Sequence, residues 1–140
     1  MTEKKVILAS HGKLSEGMMH SVQMIAGKNK DLSCMGMMPG EHYQPMVDEV
    51  ERQVKENPDT QYIIITDLFG GSVCNGMTML AGYPNVRLLA GMNMGLVINV
   101  LLTPGALDDQ TLAEIIRESR EALMQVQPVE TAAENEEDFF

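Results

Sequence analysis

The chain has 140 residues, 44% of them apolar, which fits one soluble domain built around one core. Its formal net charge of −10 argues against binding to nucleic acid and to anionic membranes. The first apolar run, Val6–Ala9, is too short for a signal peptide or a membrane span, and the chain has two cysteines, so we expect a cytoplasmic protein.

The acidic residues are concentrated near the C-terminus. Five of the 20 acids fall in the last eleven residues, where there is no Lys or Arg: Glu130, Glu134, Glu136, Glu137 and Asp138. The remaining 15 acids and 10 bases give the rest of the chain a charge near −5. We expect a folded domain over residues 1–128 and an acidic disordered tail over residues 129–140.

Up to residue 59 the sequence predicts two strands, each followed by a helix. The first strand is Val6–Ala9, and the helix after it begins near Ser15, a candidate cap. The second strand is Leu32–Met38, and the Asn-Pro-Asp sequence at residues 57–59 ends the helix after it. Apolar residues at helical spacing mark the inward faces of the two helices: Met18, Val22 and Ile25 in the first, and Val47, Val50 and Val54 in the second.

The second half of the chain continues this alternation. Tyr62–Thr66 is apolar on both faces, as a central parallel strand should be, and Val86–Ala90 is the fourth strand. Asn93 is a candidate cap for a short helix, and Asp108 or Asp109 opens the last helix. The helix after the third strand contains Val73, Met77 and Leu80, and the short helix runs through Val100 and Leu101. The last helix has Leu112, Ile115 and Ile116 facing inward.

Strands that alternate with helices predict an α/β three-layer sandwich around a parallel sheet. For four parallel strands we expect the flavodoxin-like order 2-1-3-4. In that order the chain leaves strands 1 and 3 towards opposite sides, so a crevice opens beyond their carboxyl ends. A weak period-2 pattern at Met124–Gln127 predicts one further strand.

Two polar residues are predicted to face this crevice. His11 directly follows the first strand, and Asp67 directly follows the third. Neutral imidazole is a nucleophile, and a carboxylate that holds the Nδ1 proton leaves Nε2 free to attack. From position alone, a loop histidine beside a turn aspartate with no catalytic role is an equal alternative.

A glycine-rich turn follows Asp67. Gly70 and Gly71 permit positive φ and a close approach of backbone to a ligand. Ser72 is placed to cap the next helix, whose N-terminal amides attract anions. An ordinary strand-to-helix turn explains these three residues equally well. Together with His11 and Asp67, however, they favour a phosphoryl-binding site.

Other residues carry weaker signals. His20 lies inside the first helix, and His42 lies in a loop that no pattern places at the crevice. Cys34 is expected to be a buried packing residue, and Cys74 is expected to be structural although a helix N-terminus can lower a thiol pKa. The sequence has no zinc-ligand spacing, Walker loop or nucleophile elbow, so we expect neither a metal nor another cofactor.

Four stretches resemble, in order and spacing, the signature stretches of mannose-family enzyme IIA components of the phosphoenolpyruvate-dependent sugar phosphotransferase system. The stretches are Val6–Gly12 (VILASHG), Met38–Glu41 (MPGE), Ile65–Ser72 (ITDLFGGS) and Ala90–Asn93 (AGMN). The resemblance covers about residues 4–127.

The resemblance implies that His11 is phosphorylated, that Asp67 orients it and that the Gly70–Ser72 turn holds the phosphoryl group. The donor would be the phosphohistidine protein HPr. The acceptor would be a IIB component serving the membrane-embedded IIC and IID components. The family also implies a homodimer in which a fifth, antiparallel strand is exchanged, and Met124–Gln127 would be that strand.

The sequence departs from the family pattern at two positions, where Val73 and Gly95 replace frequent prolines. A sister group, which donates phosphate to dihydroxyacetone kinase, typically has Ser-His-Ser where this chain has Ser10-His11-Gly12; Gly12 therefore favours the sugar system.

Three other functions are alternatives, and Ser10 and Gly12, the residues beside His11, disfavour the first two. A receiver-like switch would be phosphorylated on Asp67 but needs an acidic pair after strand 1. A histidine phosphatase or mutase needs an Arg beside the nucleophile. A regulatory binding module without carrier activity is the third alternative.

Overall fold

A computed structural model describes residues 1–129, so all of the predicted acidic tail except Val129 lies outside the described residues. The described chain forms four strands, five α-helices and one 3₁₀ helix that extends α3. Their bounds are β1 (Glu3–His11), α1 (Leu14–Ala26), β2 (Leu32–Met37), α2 (Gln44–Glu56), β3 (Thr60–Thr66), α3 (Ser72–Met77), the 3₁₀ helix (Thr78–Gly82), β4 (Val86–Ala90), α4 (Met94–Leu102) and α5 (Asp109–Glu121). Among the helices of residues 1–129, none is long and apolar enough to cross a membrane.

The four strands form one parallel sheet in the order β2-β1-β3-β4, which confirms the predicted topology. β1 and β3 are the central strands, and their apolar runs are buried on both faces. In the register of the sheet, Ala9 pairs with Thr66 and Ser10 pairs with Gly36. The carboxyl ends of β1, β2 and β3 therefore meet at one edge of the sheet.

Two apolar cores lie on opposite faces of the sheet, which gives the predicted three layers. Successive residues of a strand point to opposite faces. Val6 and Leu8 accordingly pack with α1, α4 and α5, whereas Ile7 and Ala9 pack with α2 and α3. The helix residues predicted to face inward are largely buried, with Ile25 as the clearest exception at 46% exposed. The inward face of α1 follows Met18, Val22 and Ala26, which leaves Ile25 at its margin.

The caps predicted for the last two helices are formed. Asn93 accepts a hydrogen bond from the Leu96 amide at 2.9 Å, and Asp108 accepts one from the Thr111 amide at 2.7 Å. The prediction that Ser15 caps α1 is wrong, because α1 begins at Leu14 and Ser15 lies inside it.

The strand predicted at Met124–Gln127 is not formed within the single chain. Residues 123–129 have no regular secondary structure, and Leu123, Met124 and Val126 are exposed. A strand needs a partner edge to satisfy its backbone groups. Exchange of this segment with a second copy of the chain therefore stays a prediction.

Candidate active site

The carboxyl ends of β1 and β3 lie side by side and carry the two polar residues predicted at the crevice. His11 is the last residue of β1, and Asp67 directly follows β3. Because Ala9 pairs with Thr66, both strands leave the sheet at the same edge. The topology therefore brings the side chains of His11 and Asp67 into contact.

One carboxylate oxygen of Asp67 binds His11 at two atoms. Oδ2 accepts the backbone N–H of His11 at 2.9 Å and lies 2.8 Å from Nδ1 of the imidazole. The other oxygen, Oδ1, accepts the backbone N–H of Leu68 at 2.9 Å. The Asp67 side chain is only 9% exposed, whereas the His11 side chain is 46% exposed. The carboxylate is thus sheltered while the imidazole remains accessible.

These contacts keep the carboxylate of Asp67 ionised. Partial burial by itself raises the pKa of Asp67, because it disfavours the charged form. The hydrogen bonds from the backbone and ring of His11, the charge of that ring, and the hydrogen bond from Leu68 act in the opposite direction. Their combined effect is larger, so the pKa of Asp67 lies below its ordinary value of 3.8.

The ionised carboxylate selects the tautomer of His11. A carboxylate only accepts hydrogen bonds, so Nδ1 carries the proton and Nε2 keeps its lone pair. The hydroxyl of Ser72 lies 3.2 Å from Nε2 and donates to it in this tautomer. His11 therefore presents a nucleophilic nitrogen in a half-exposed side chain, next to one hydroxyl group.

The turn after β3 packs against the imidazole of His11 through Gly71. Gly71 N–H donates to Leu68 O at 3.1 Å, and Gly70 has a φ of 82°, the geometry of a type II turn. A Cβ on Gly71 would lie 3.3 Å from Cε1 of His11. Gly70 is thus required by its backbone conformation, and Gly71 allows the turn to approach the ring. This turn also presents Phe69, which is 85% exposed.

The predicted capping role of Ser72 is wrong. Gly71 occupies the cap position of α3, Ser72 is the first helical residue, and no side chain caps this helix. The Ser72 hydroxyl instead points to His11, a group from a different strand that local sequence cannot reveal.

Asn75 is a further residue of the site, and no sequence pattern predicts its role. Its side-chain amide donates to the carbonyl of Gly70 at 3.1 Å and so fixes the turn from the α3 side. An Asn three residues after a candidate cap is too common a pattern to have indicated this role.

The remaining histidines and the two cysteines lie outside the site formed by His11 and Asp67. His42 accepts the Gln44 amide at 3.1 Å and stacks on Tyr43, so it helps to begin α2. His20 is exposed on α1, and Cys74 is buried in α3. Cys34 is half-buried rather than buried, and burial, together with the charge of Glu16, raises the pKa of its thiol.

We expect Asp67→Asn to lower the free energy of unfolding by about 1–2 kcal/mol at neutral pH and to lose this effect in acid. Because the folded-state pKa of Asp67 lies below 3.8, the carboxylate stabilises the folded protein above that value. This stabilisation disappears as the pH falls through the folded-state pKa. Urea unfolding of both proteins over a pH series measures the difference.

The matched control is Asp59→Asn, which changes an exposed carboxylate in the α2–β3 loop. It should alter stability little at any pH. A difference between wild type and Asp67→Asn that stays constant into strong acid would contradict the ionised role of Asp67.

The chain matches one known protein family over most of its length. Residues 5–125 match the family EIIA-man, described as the PTS (phosphotransferase system) fructose IIA component. The sorbose-specific EIIA component of Klebsiella pneumoniae is 29% identical over 96 residues, covering 68% of this chain and 70% of that protein. The mannose-specific EIIAB component of Escherichia coli (strain K12) is 23% identical and covers 91% of this chain, which spans 42% of that longer protein.

Solved structures with the same fold give the same result. The mannose/sorbose-specific IIA subunit from Enterococcus faecalis superposes with a TM-score of 0.81 at 28% identity, covering 91% of this chain and 98% of that one. A putative phosphotransferase-system permease from Klebsiella pneumoniae gives 0.75 at 30% identity, covering 89% and 91%. The chain therefore belongs to the EIIA-man family of phosphotransferase-system IIA components.

Proposed function

We propose that the protein carries a phosphoryl group on Nε2 of His11, accepting it from phosphorylated HPr and donating it to a IIB component for sugar uptake. The observation that supports this proposal is the hydrogen bond between Asp67 Oδ2 and His11 Nδ1, which leaves Nε2 with its lone pair. Membership of a phosphotransferase-system family supports the class of reaction.

The proposed reaction exchanges one phosphorus–nitrogen bond for another. The lone pair on Nε2 of His11 attacks the phosphorus of the donor's phosphohistidine in line. The bond from that phosphorus to the donor nitrogen breaks, and its electron pair returns to the donor ring. Because His11 keeps its Nδ1 proton, the phosphorylated ring is cationic, and the adjacent Asp67 carboxylate stabilises it. Transfer to the acceptor reverses these steps.

The Gly70–Ser72 turn is the proposed phosphoryl-binding element. A phosphoryl group on Nε2 would replace that nitrogen as the neighbour of the Ser72 hydroxyl, which is 3.2 Å away in the unmodified protein. The hydroxyl can then donate to a phosphoryl oxygen. Hydrogen-bond donors placed where charge develops are an effective means of stabilising a transition state.

Protein partners fit the half-open site. The nucleophile lies in a side chain that is 46% exposed, and the turn beside it exposes Leu68 and Phe69 to solvent. A donor or acceptor protein would cover these apolar side chains as its reactive histidine or other acceptor approached His11. The IIC and IID membrane components would act only through IIB, and the carrier would work in the cytoplasm.

A homodimer with an exchanged fifth strand is also part of the proposal. β4 is an edge strand whose outer side borders an open groove of about 720 Å³, lined by β4, the start of α4 and the end of α5. The exposed apolar residues Leu123, Met124 and Val126 lie just beyond α5. An edge strand has unpaired backbone groups, and the apolar segment of a second copy can pair with them as an added strand.

We expect His11→Ala to abolish phosphorylation, since the proposed acceptor nitrogen is then absent. The measurement is the intact mass of the protein after incubation with phosphorylated HPr. His20→Ala, an exposed histidine on α1, is the matched control and should gain one phosphoryl group like the wild type. The modification should be labile in acid and stable in base. Base lability would indicate an aspartyl phosphate and would overturn the carrier role of His11.

We expect Asp67→Asn to slow phosphoryl uptake by ~10- to ~10⁴-fold, the range spanned by carboxylates that orient metal-bound and catalytic histidines. An amide that donates to Nδ1 favours the tautomer with the proton on Nε2, and it lacks the negative charge that stabilises the cationic ring. Rapid-quench measurement of a single turnover gives the rate, and circular dichroism checks the fold. Uptake at the wild-type rate would show that another group sets the tautomer.

We expect truncation after Glu121 to give a monomeric or destabilised protein, because it removes the proposed exchanged strand. Native mass spectrometry and thermal unfolding of the full and truncated chains are the measurements. Deletion of residues 130–140 alone is the control and should leave the dimer intact. A full-length chain that is a stable monomer would rule out the dimer.

A further inference from the structure

β2 contains one interior glycine, Gly36, to which the proposed reaction assigns no part. The strand runs from Leu32 to Met37, and Gly36 pairs with Ser10, the residue before the nucleophile. A glycine inside a strand weakens it and commonly marks a place where other backbone approaches closely. At Gly36, the approaching backbone is that of the loop that follows His11.

The residue after the nucleophile, Gly12, lies directly on Gly36. A Cβ added to Gly36 would lie 2.1 Å from the carbonyl oxygen of Gly12 and 3.2 Å from its carbonyl carbon. Both are backbone atoms, so a side chain here forces the main chain to move. Gly12 N–H also donates to Met37 O at 2.8 Å, and Gly12 has a φ of 55°. The Gly12 N–H therefore bonds the chain leaving His11 to β2, and the Gly12 carbonyl lies against Gly36.

Two buried hydroxyls hold the other side of the same loop. Ser10 Oγ accepts the backbone N–H of Ser15 at 2.8 Å, so it satisfies an amide in the first turn of α1. Ser15 Oγ in turn donates to Met35 O of β2 at 2.8 Å. Ser10 and Ser15 are at most 1% exposed, so water cannot replace these bonds. The loop thus joins β2 on either side of Gly36.

We propose that the β2 segment Met35–Met37 positions His11 for phosphoryl transfer, and that Gly36 is the residue that allows it to do so. The inference rests on the proposed carrier function of His11. His11 has its backbone N–H and its ring on one oxygen of Asp67, so both bonds depend on the path of the main chain through residues 10–12. A side chain at position 36 displaces the Gly12 carbonyl and so shifts residue 12, which is bonded directly to His11.

The expected effect is on the chemistry rather than on partner docking. A misplacement of ~1 Å at a reacting group can cost ~10²-fold in rate. We therefore expect Gly36→Ala to lower the rate constant of phosphoryl uptake by ~10- to ~100-fold. The apparent KM for phosphorylated HPr should change little, because Leu68 and Phe69 remain exposed on the other side of the imidazole.

Gly17→Ala is the matched control. It makes the same chemical change in α1, where a Cβ would meet nothing within 4 Å. It should leave the rate, the KM and the His11 signals at wild-type values. Ser15→Ala is the second test variant, because it removes the bond to Met35 O without adding bulk. Ser15→Ala should lower the rate of phosphoryl uptake by a smaller factor than Gly36→Ala does. If Gly36→Ala fails to fold, Ser15→Ala tests whether β2 positions His11.

The readout specific to positioning is the ¹⁵N spectrum of His11 in the unmodified protein. Wild type should show the proton on Nδ1, whereas Gly36→Ala should show a mixture of tautomers or a shifted Nδ1 signal. This measurement needs no phosphoryl donor, so it separates failure of this inference from failure of the carrier function. A folded Gly36→Ala protein with wild-type His11 signals and wild-type uptake overturns the inference. A Gly36→Ala protein whose loss of uptake rate equals its unfolded fraction also overturns the inference.

Discussion

The site depends on the adjacency of two central parallel strands. β1 and β3 are hydrogen-bonded neighbours, with Ala9 opposite Thr66, so the next residues of each strand leave the sheet together. One oxygen of Asp67 then reaches both the backbone N–H and the Nδ1 of His11. No loop rearrangement is needed to bring nucleophile and carboxylate together, because the sheet itself fixes the distance between them.

Near the bond between His11 and Asp67, two glycines allow backbone to approach closely because they have no side chain. Gly71 lets the β3–α3 turn lie against the imidazole, where a Cβ would be 3.3 Å from Cε1. Gly36 lets the Gly12 carbonyl rest on β2. Backbone of the β3–α3 turn therefore lies against the His11 ring, and backbone of β2 lies against the residue that follows His11. In the proposed transfer, such packing reduces the conformational freedom that would otherwise have to be lost in the transition state.

The difference in solvent exposure between His11 and Asp67 suits the proposed carrier role of His11. Asp67 is sheltered, which strengthens its hydrogen bonds, while nearly half of the His11 side chain faces solvent. The adjoining Phe69 is more exposed still, on a turn that Gly70 and Asn75 hold in place. The proposed carrier needs an accessible nucleophile in a fixed position, because the donor protein and the acceptor protein must each reach Nε2 of His11 in turn.

Local pattern in the sequence determined the strands and the residues that end them, because these are adjacent in the chain. With the order 2-1-3-4 expected for four parallel strands, this pattern placed His11 beside Asp67. Only the tertiary structure decided what the serines do. The pattern predicted that Ser15 and Ser72 cap their own helices, yet the amide of Ser15 is satisfied from β1 and the hydroxyl of Ser72 faces His11. A hydroxyl bonds whichever group the fold places nearest, and those groups lie on strands distant in sequence.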